Sequence, residues 1–231
     1  MVIFADGADK ASILELNKNP LVKGFTTNPS LLKKAGVTDY KEFALDILKE
    51  IPNKSFSFEV IADEVESMYL QALEISEWGI NVYVKIPITD TKGRSMGVLI
   101  SELNDNGIKV NVTAITTIKQ VENIISAFYN EGVSNYISIF AGRIADTGID
   151  PVPIMKSALE LIKGTNIELI WASPREVYNI YQAEDIGCDI ITCGPDMIKK
   201  YETLKGKDLT EYSLDTVKMF YRDAKEAGYE I

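Results

Sequence analysis

Short apolar runs of the kind that form buried strands alternate with amphipathic stretches along the whole chain. The apolar runs predict eight strands: Val2–Asp6, Gly24–Asn28, Ser55–Val60, Ile80–Ile88, Lys109–Ala114, Tyr136–Phe140, Glu168–Ser173 and Cys188–Cys193. Between them, helical patterns cover Asp63–Glu77, Thr117–Glu131 and Val152–Lys163, among others. Eight consecutive strand–helix units predict an α/β protein with a single (β/α)8 TIM barrel. A doubly wound open sheet is the structural alternative, because alternation alone does not require closure.

Alternate side chains of a barrel strand face the surrounding helices and the barrel interior. In Ile80–Ile88 the even-numbered positions are aliphatic, which leaves Lys85 facing inward. The same alternation, applied to the other strands, directs further polar and aromatic residues inward near the carboxyl ends: Asp6, Thr26, Asn28, Glu59, Asn111, Thr113, Ser138 and Phe140. TIM-barrel active sites lie at this end of the strands. The inward polar set therefore predicts a binding or catalytic site there.

Charge and composition narrow the function classes. The 231 residues include 24 basic and 34 acidic side chains, which gives a net charge of −10, and there is no histidine. The negative charge argues against general binding to nucleic acid or anionic membranes. The lack of histidine excludes Ser-His and Cys-His nucleophiles and histidine-ligated zinc sites. No apolar run has the length of a membrane span and the first residues lack a signal-peptide pattern, so we expect a cytoplasmic protein.

Lys85 is the leading candidate for covalent chemistry. Burial in a barrel disfavours the charged ammonium and so favours an amine that can attack a carbonyl. Asp6 and Glu59 are the candidates to move protons beside it. The alternative is a lysine whose stem is buried and whose ammonium reaches water, with two carboxylates that only tie down loops.

Two arginines follow consecutive predicted strands at the same rim. Arg143 follows the sixth strand in FAGRIAD and Arg175 follows the seventh in WASPRE. The late loops of a TIM barrel often bind phosphate, and guanidinium groups match its geometry. Surface salt bridges are the alternative interpretation. The glycines of TDTKGRSMG fit neither dinucleotide nor Walker spacing and predict a loop that enters a helix.

Eight segments in order along the chain resemble the transaldolase family. They are ADGA, GFTTNPSLL, SFEV, VKIPIT, NVTAITT, SIFAGRIADTG, WASPRE and GCDIITCGPDMI. Each matching segment falls on one predicted strand and the loop that follows it. The length is similar to the short members of the family, which include fructose-6-phosphate aldolases.

This resemblance implies a transferase that moves a dihydroxyacetone unit between sugar phosphates in the pentose phosphate pathway, without a metal or organic cofactor. It implies that Lys85 forms the Schiff base, that Asp6 is the acid and base, and that Glu59 with Thr113 holds the catalytic water. The implied substrate-binding residues are Thr26, Asn28, Asn111, Ser138, Phe140, Arg143, Ser173 and Arg175. The implied donor ketose is sedoheptulose 7-phosphate, the implied acceptor is glyceraldehyde 3-phosphate, and the implied ketose product is fructose 6-phosphate.

Other functions remain open at this point. Aldolase-type relatives have Gln where Glu59 stands and Tyr where Phe140 stands, so both positions favour the transferase. A fructose-6-phosphate aldolase, or a transaldolase for another C6-substituted ketose, is the nearest alternative. An isomerase or epimerase with Asp6 and Glu59 as paired bases is another. A non-catalytic barrel that binds sugar phosphates is the last.

The end of the chain predicts an additional helix at about residues 209–228, as part of a single domain over 1–231. Ser213 is a candidate helix start, and Val217, Phe220, Tyr221 and Ala224 form an apolar stripe at helical spacing. Such a stripe is buried either on its own barrel or on a neighbouring subunit. The resemblance implies pentameric rings that pair into decamers, with the C-terminal helix packed on the adjacent subunit, so we expect a homodecamer with Phe220 and Tyr221 in the contact.

Overall fold

Eight parallel strands close into a barrel in the computed structural model, which describes residues 1–231. The strands are β1 Val2–Asp6, β2 Val22–Thr26, β3 Ser55–Glu59, β4 Val82–Pro87, β5 Val110–Ile115, β6 Asn135–Ile139, β7 Ile167–Trp171 and β8 Ile190–Cys193. Each strand pairs with the next, and β8 pairs with β1. The predicted TIM barrel is confirmed and the open sheet is wrong.

Helices connect the strands and continue after the last of them. They are α1 Lys10–Lys18, α2 Pro29–Lys34, α3 Tyr40–Glu50, α4 Val65–Ser76, α5 Gly97–Asp105, α6 Ile118–Ile124, α7 Ala141–Asp146, α8 Val152–Ile162, α9 Tyr178–Asp185, α10 Pro195–Leu204 and α11 Leu209–Glu226. A short 3-10 turn, Ile125–Ala127, follows α6. The chain falls into two compact units, Met1–Ile198 and Lys199–Ile231. The prediction of a single domain over 1–231 stays a prediction.

The amino half of the barrel interior is filled by an apolar cluster. Phe4, Tyr83 and Tyr136 are buried there, with the two tyrosine rings stacked at 4.0 Å between centroids. Gly24 makes room for this cluster, because a Cβ at that position would lie 2.6 Å from the Phe4 ring. Burying a large apolar side chain stabilises the fold by about 1.5–3 kcal/mol. The carboxyl half is left for the inward polar side chains.

Five predicted strands run too far at their carboxyl ends, and in three of them the extra residues lie on loops that line the cavity. The strand predicted to reach Asn28 ends at Thr26, and Asn28 is the N-cap of α2 because Pro29 has no N–H and begins the helix. Phe140 precedes the first turn of α7 rather than ending β6. Ser173 lies beyond β7 in the left-handed region, with φ 60°. These positions are therefore on βα connections at the barrel rim.

The C-terminal unit contains α11, which begins earlier than Ser213. Its N-cap is Asp208, whose carboxylate accepts hydrogen bonds from the N–H groups of Thr210 and Glu211. An aspartate accepting two backbone hydrogen bonds is a stronger start signal than the serine, so the predicted start at Ser213 is wrong. The predicted helix at about 209–228 corresponds to the observed Leu209–Glu226.

No side chain of α11 is buried. The exposed fractions of Val217, Phe220 and Tyr221 are 59%, 63% and 67%. The apolar stripe is therefore exposed in the single chain, and the predicted decamer stays a prediction. None of the helices combines the length and the apolar character that crossing a bilayer requires.

Candidate active site

A cavity of about 220 Å³ opens at the carboxyl ends of the strands. Its lining comprises Asp6, Thr26, Asn28, Lys85, Ser138, Phe140, Arg143, Ala172, Ser173, Pro174, Arg175, Thr192 and Gly194. Nine of the predicted site residues belong to this lining. The remaining three, Glu59, Asn111 and Thr113, lie on β3 and β5, the strands that flank Lys85 on β4.

Lys85 points into the barrel from β4 and is 5% exposed. Its Nζ donates a hydrogen bond to the Thr27 carbonyl oxygen at 3.0 Å. The same Nζ lies 3.6 Å from Oε2 of Glu59, the residue beside it on β3. Burial raises the pKa of Glu59, although the charge of Lys85 opposes this shift. A lysine with its ammonium in open water, the alternative from sequence, is wrong.

Asp6 ends β1 and forms one end of a chain of hydroxyl groups. Its Oδ1 accepts a hydrogen bond from Thr26 Oγ1 at 2.8 Å, and Thr26 Oγ1 is 2.5 Å from Thr192 Oγ1. The single hydroxyl proton of Thr26 goes to Asp6, so Thr192 donates to Thr26. Burial raises the pKa of Asp6, while the charge of Lys85 and the Thr26 hydrogen bond oppose the shift. The carboxyl group is thus biased toward protonation.

Thr192 is a site residue that sequence reasoning missed. It is the inward polar residue near the carboxyl end of β8, and it lines the cavity. The alternation that selected Thr26 and Ser138 on their strands also selects Thr192. The segment ITCG therefore carries the signal for this residue.

A second hydrogen-bond chain fixes the amide of Asn111. Ser138 Oγ donates to Asn111 Oδ1 at 2.7 Å, and Asn111 Nδ2 donates to Ser57 Oγ at 3.0 Å. All three residues are buried. Two positions along β5, the hydroxyl of Thr113 is buried without a hydrogen-bond partner in the protein. An unpartnered buried hydroxyl is unfavourable unless a bound molecule uses it, so Thr113 is available to a ligand.

The side-chain amide of Asn28 makes one hydrogen bond to the backbone. Its Oδ1 accepts a hydrogen bond from the N–H of Leu31 at 3.0 Å, which caps α2. The oxygen is therefore engaged, and the NH2 group is the end that a substrate hydroxyl can use as a donor. Asn28 still lines the cavity, so capping and ligand contact are compatible.

Both predicted arginines line the cavity at its outer rim. The guanidinium of Arg143 lies over the Phe140 ring at 5.4 Å from its centroid. Arg175 pairs with Asp146, with Nε 3.0 Å from Oδ1 and Nη2 in contact with Oδ2. This contact holds the pKa of Asp146 below its usual range. Arg175 therefore makes the salt bridge that sequence offered as the alternative, and it also faces the cavity.

Gly142 explains why the two arginines share one rim. A Cβ at position 142 would lie 1.6 Å from the Ser173 carbonyl oxygen, so only glycine permits this approach. The first turn of α7 therefore touches the segment that follows β7. This contact brings Arg143, Ser173 and Arg175 to the same part of the cavity.

Comparison with known proteins gives this arrangement a family. The sequence model described as transaldolase/fructose-6-phosphate aldolase matches residues 3–231. The chain belongs to the transaldolase/fructose-6-phosphate aldolase family. It is 33% identical to a probable transaldolase of Ruegeria sp. (strain TM1040), with 100% of each chain covered. It is 34% identical to a probable transaldolase of Streptococcus agalactiae serotype V, with 94% of this chain and 95% of the relative covered.

A solved structure supports the fold of this family member. The chain matches a dihydrodipicolinate synthase family protein from Coccidioides immitis with a TM-score of 0.59 and 11% identity, over 83% of this chain and 66% of that one. At this identity the likeness concerns the fold alone. Membership of the transaldolase/fructose-6-phosphate aldolase family makes the protein an enzyme of transferase or aldolase type.

Proposed function

We propose that this family member is a transaldolase that works through a lysine Schiff base. It moves a dihydroxyacetone unit from sedoheptulose 7-phosphate to glyceraldehyde 3-phosphate, which yields erythrose 4-phosphate and fructose 6-phosphate. This is a reaction of the pentose phosphate pathway, and we place it in the cytoplasm. The observation that carries the proposal is the buried Lys85, whose Nζ lies 3.6 Å from Glu59 in a barrel mouth that also contains Asp6.

In the first half-reaction the neutral Nζ of Lys85 attacks the C2 carbonyl of the ketose, and loss of water gives an iminium ion. Asp6 then takes the proton of the C4 hydroxyl group. The C3–C4 bond breaks, its electron pair forms an enamine on C3, and the aldose phosphate leaves. The raised pKa of Asp6 suits a group that first accepts and later returns this proton.

The second half-reaction reverses these steps with the acceptor aldehyde. C3 of the enamine attacks the aldehyde carbon, and Asp6 returns its proton to the new hydroxyl group. Water then adds to C2 of the iminium, and the amine of Lys85 departs with the ketose released. Glu59 and Thr113 hold this water, in keeping with the carboxylate beside Nζ and the unpartnered Thr113 hydroxyl.

The remaining lining side chains bind the sugar phosphate. Asn28, Asn111, Thr26 and Ser138 contact the hydroxyl groups of the dihydroxyacetone unit. Ser173 with the two rim arginines, Arg143 and Arg175, binds the distal phosphate, for which guanidinium groups are suited. The cavity joins both groups of residues in one space, as a phosphorylated ketose requires.

Transfer is favoured over release of free dihydroxyacetone by the residue at position 140. The Phe140 ring packs against the apolar cluster of the barrel and lies under Arg143, and it carries no ionisable proton. A phenol there could protonate the enamine and discharge it, whereas a phenyl ring cannot. The enamine therefore persists until an acceptor aldehyde arrives.

Borohydride reduction during turnover of fructose 6-phosphate tests the Schiff base. We expect a covalent adduct on Lys85 by intact mass and peptide mapping, lost in Lys85→Ala. Lys54→Ala is the matched control, because Lys54 lies before β3 at the other end of the barrel and bonds the Asn17 carbonyl. Absence of an adduct in the wild type would remove this mechanism in favour of an isomerase or a binding protein.

Acceptor dependence distinguishes transferase from aldolase. We expect turnover of fructose 6-phosphate only when erythrose 4-phosphate is present. Equal turnover without the acceptor, with free dihydroxyacetone formed, would make the protein a fructose-6-phosphate aldolase instead.

We also propose that the enzyme is a homo-oligomer, a decamer built from two pentamers. Its support is the row of exposed apolar side chains on α11, because exposed apolar side chains that lie side by side mark protein–protein contacts.

A further inference from the structure

Tyr40, at the start of α3, makes two hydrogen bonds to the backbone of Glu59. Its hydroxyl accepts from the Glu59 N–H at 2.8 Å and donates to the Glu59 carbonyl oxygen at 3.0 Å. Tyr40 is outside the cavity lining and was not singled out by the sequence. In this position the tyrosine hydroxyl makes the two backbone hydrogen bonds that a neighbouring strand would otherwise make.

The strand that it replaces is β2. Thr26 is the register partner of Ser57, and the Ser57 carbonyl accepts from the Thr27 N–H at 3.3 Å. Continued by one step, this parallel ladder would join the Glu59 N–H to the Thr27 carbonyl. It would also join the Glu59 carbonyl to the N–H of position 29.

That continuation cannot form completely, because position 29 is proline and has no N–H. The Tyr40 hydroxyl supplies the donor that Pro29 lacks, and it also accepts from the Glu59 N–H. As a result the Thr27 carbonyl is not used by β3. It instead accepts the hydrogen bond from Lys85 Nζ at 3.0 Å.

We propose that Tyr40 is a positioning residue of the active site, whose hydroxyl fixes the end of β3 at Glu59 and leaves the Thr27 carbonyl to orient the amine of Lys85. This inference rests on the proposed Schiff-base function. Tyr40 touches no reacting atom; it acts through Glu59 and Thr27.

The aromatic surroundings provide a control for packing. The Tyr40 ring meets Trp78 edge-on at 5.5 Å and Phe58 at 6.2 Å. Trp78→Phe disturbs this cluster but leaves the Tyr40 hydroxyl in place, and the indole N–H has no hydrogen-bond partner to lose. Tyr40→Phe removes only the hydroxyl. The two variants separate the hydrogen bonds from the packing.

Steady-state exchange between fructose 6-phosphate and erythrose 4-phosphate is measured for both variants, together with the thermal midpoint. We expect Tyr40→Phe to lower kcat about 10–100-fold, because small displacements of reacting groups have effects of this order. KM should stay within about twofold, since the phosphate-binding arginines follow β6 and β7. Trp78→Phe should lower the thermal midpoint while kcat stays within about twofold of the wild type.

Two further measurements complete the test. The rate of borohydride-trapped adduct formation should fall in Tyr40→Phe in parallel with kcat. Exchange of the Glu59 amide hydrogen should become faster in that variant. The amide hydrogen of Val60, which is donated to the Lys85 carbonyl of β4, should stay protected. If Tyr40→Phe does not fold, 3-fluorotyrosine at position 40 weakens the hydroxyl as an acceptor but keeps it in place, and kcat should fall about twofold.

Equal kcat for wild type and Tyr40→Phe, or equal losses in Tyr40→Phe and Trp78→Phe, would overturn the inference. In the 3-fluorotyrosine protein, unchanged kcat would do the same. A wild type that forms no adduct overturns the proposed function and this inference with it. A wild type and a Tyr40→Phe variant trapped at the same rate overturn the role of Tyr40 alone.

Discussion

Glu59 and Lys85 are register partners on β3 and β4, and Oε2 of the carboxylate lies 3.6 Å from Nζ of the lysine. Both side chains are largely buried, at 17% and 6% exposed. Taking both groups out of water is costly, and the fold accepts the cost at the carboxyl end of a barrel. The pair is therefore the place where substitution most directly reports on chemistry.

Glu59→Gln keeps the size of the side chain and removes its charge. We expect kcat to fall about 100-fold, because water activation at the iminium loses its base. In the wild type, burial raises the pKa of Glu59, so the acid limb of the kcat profile should lie above the ordinary carboxyl range near pH 4. The glutamine variant should shift that limb, because only Asp6, whose pKa burial also raises, then remains to produce it.

Glu168→Gln is the control for this change. Glu168 lies at the amino end of β7, and burial raises its pKa as well. We expect unchanged turnover and an unchanged acid limb. A shifted limb in Glu168→Gln, or an unshifted limb in Glu59→Gln, would contradict the assignment to Glu59.

Asp6→Asn should make the folded protein more stable at pH 7. Burial raises the pKa of Asp6, so the folded state disfavours its charged form, and this destabilisation grows as the pH rises through the folded pKa. An uncharged amide avoids it. We expect a thermal midpoint higher by roughly 2–4 °C at pH 7, which corresponds to about 1 kcal/mol for a chain of this size. The difference in thermal midpoint between Asp6→Asn and the wild type should vanish on acidification to a pH at which Asp6 is protonated in both the folded and the unfolded state.

The same variant should separate two chemical steps. Borohydride should still trap the adduct on Lys85, while C3–C4 cleavage slows about 100-fold or more. For the stability change, Asp9→Ala is a control of opposite sign. The pKa of Asp9 is lowered by the hydrogen bonds that its carboxylate accepts from Ser12, and the carboxylate caps α1. That change should lower the midpoint at pH 7. Equal loss of adduct and cleavage in Asp6→Asn would contradict the role of Asp6.

Asp146→Asn should improve binding of the phosphate group. The carboxylate of Asp146 engages both Nε and Nη2 of Arg175, the two donors that would form a fork toward an anion. Weakening this pair should lower KM for fructose 6-phosphate by about two- to fivefold, with KM for unphosphorylated fructose unchanged. Arg143→Gln should raise the KM for fructose 6-phosphate. An Asp146→Asn variant with higher KM for the phosphate ester would show that the ion pair orients Arg175 for binding.

Gly142→Ala should damage the phosphate end of the cavity. The added methyl would lie 1.6 Å from the Ser173 carbonyl oxygen, so α7 and the segment after β7 must separate. We expect a lower thermal midpoint, by roughly 4 °C or more, and a KM increase for phosphorylated substrates. Gly97→Ala is the control, because its Cβ would meet Ser95 Oγ at 3.4 Å and the Asn123 carbonyl oxygen at 3.9 Å, both within ordinary range. Comparable damage from both variants would contradict the special role of Gly142.

Removal of residues 209–231 should dissociate the proposed decamer. Light scattering after size exclusion should give a smaller species for this deletion than for the full chain. Phe220→Glu with Tyr221→Glu should act in the same way, because both rings are more than half exposed on α11. Lys218→Glu on the same helix is the charge-matched control. A full chain that is monomeric, or an oligomer that survives the deletion, would contradict the proposal.

The eight strand–helix units predict the barrel, and side-chain alternation along the strands predicts the inward polar residues of the site. This alternation identifies Lys85, Glu59 and Asn111 as inward residues because one face of each strand is apolar and must meet the helices. It was less reliable at strand ends, where Asn28 and Ser173 already lie on turns. At these positions the backbone conformation is set by Pro29, which begins α2, and by the left-handed conformation of Ser173, neither of which side-chain alternation predicts.

Contacts between distant segments were beyond the sequence pattern. Tyr40 meets Glu59 across 19 positions and Arg175 meets Asp146 across 29, and neither pairing leaves a periodic signal. The close approach at Gly142 is likewise a consequence of how two loops meet. Thr192 differs from these, because its position on β8 carried the same alternation as the other site residues.

Closure of β8 onto β1 also sets the order in which the site is completed during synthesis. Asp6 is made before Thr26, but the hydroxyl that donates to Thr26 belongs to Thr192, 166 positions beyond Thr26. A ribosome-bound chain therefore carries the acid and the lysine long before the last wall of the cavity exists. Because this contact joins the two ends of the barrel, the nascent chain cannot complete the site until nearly the whole barrel has emerged.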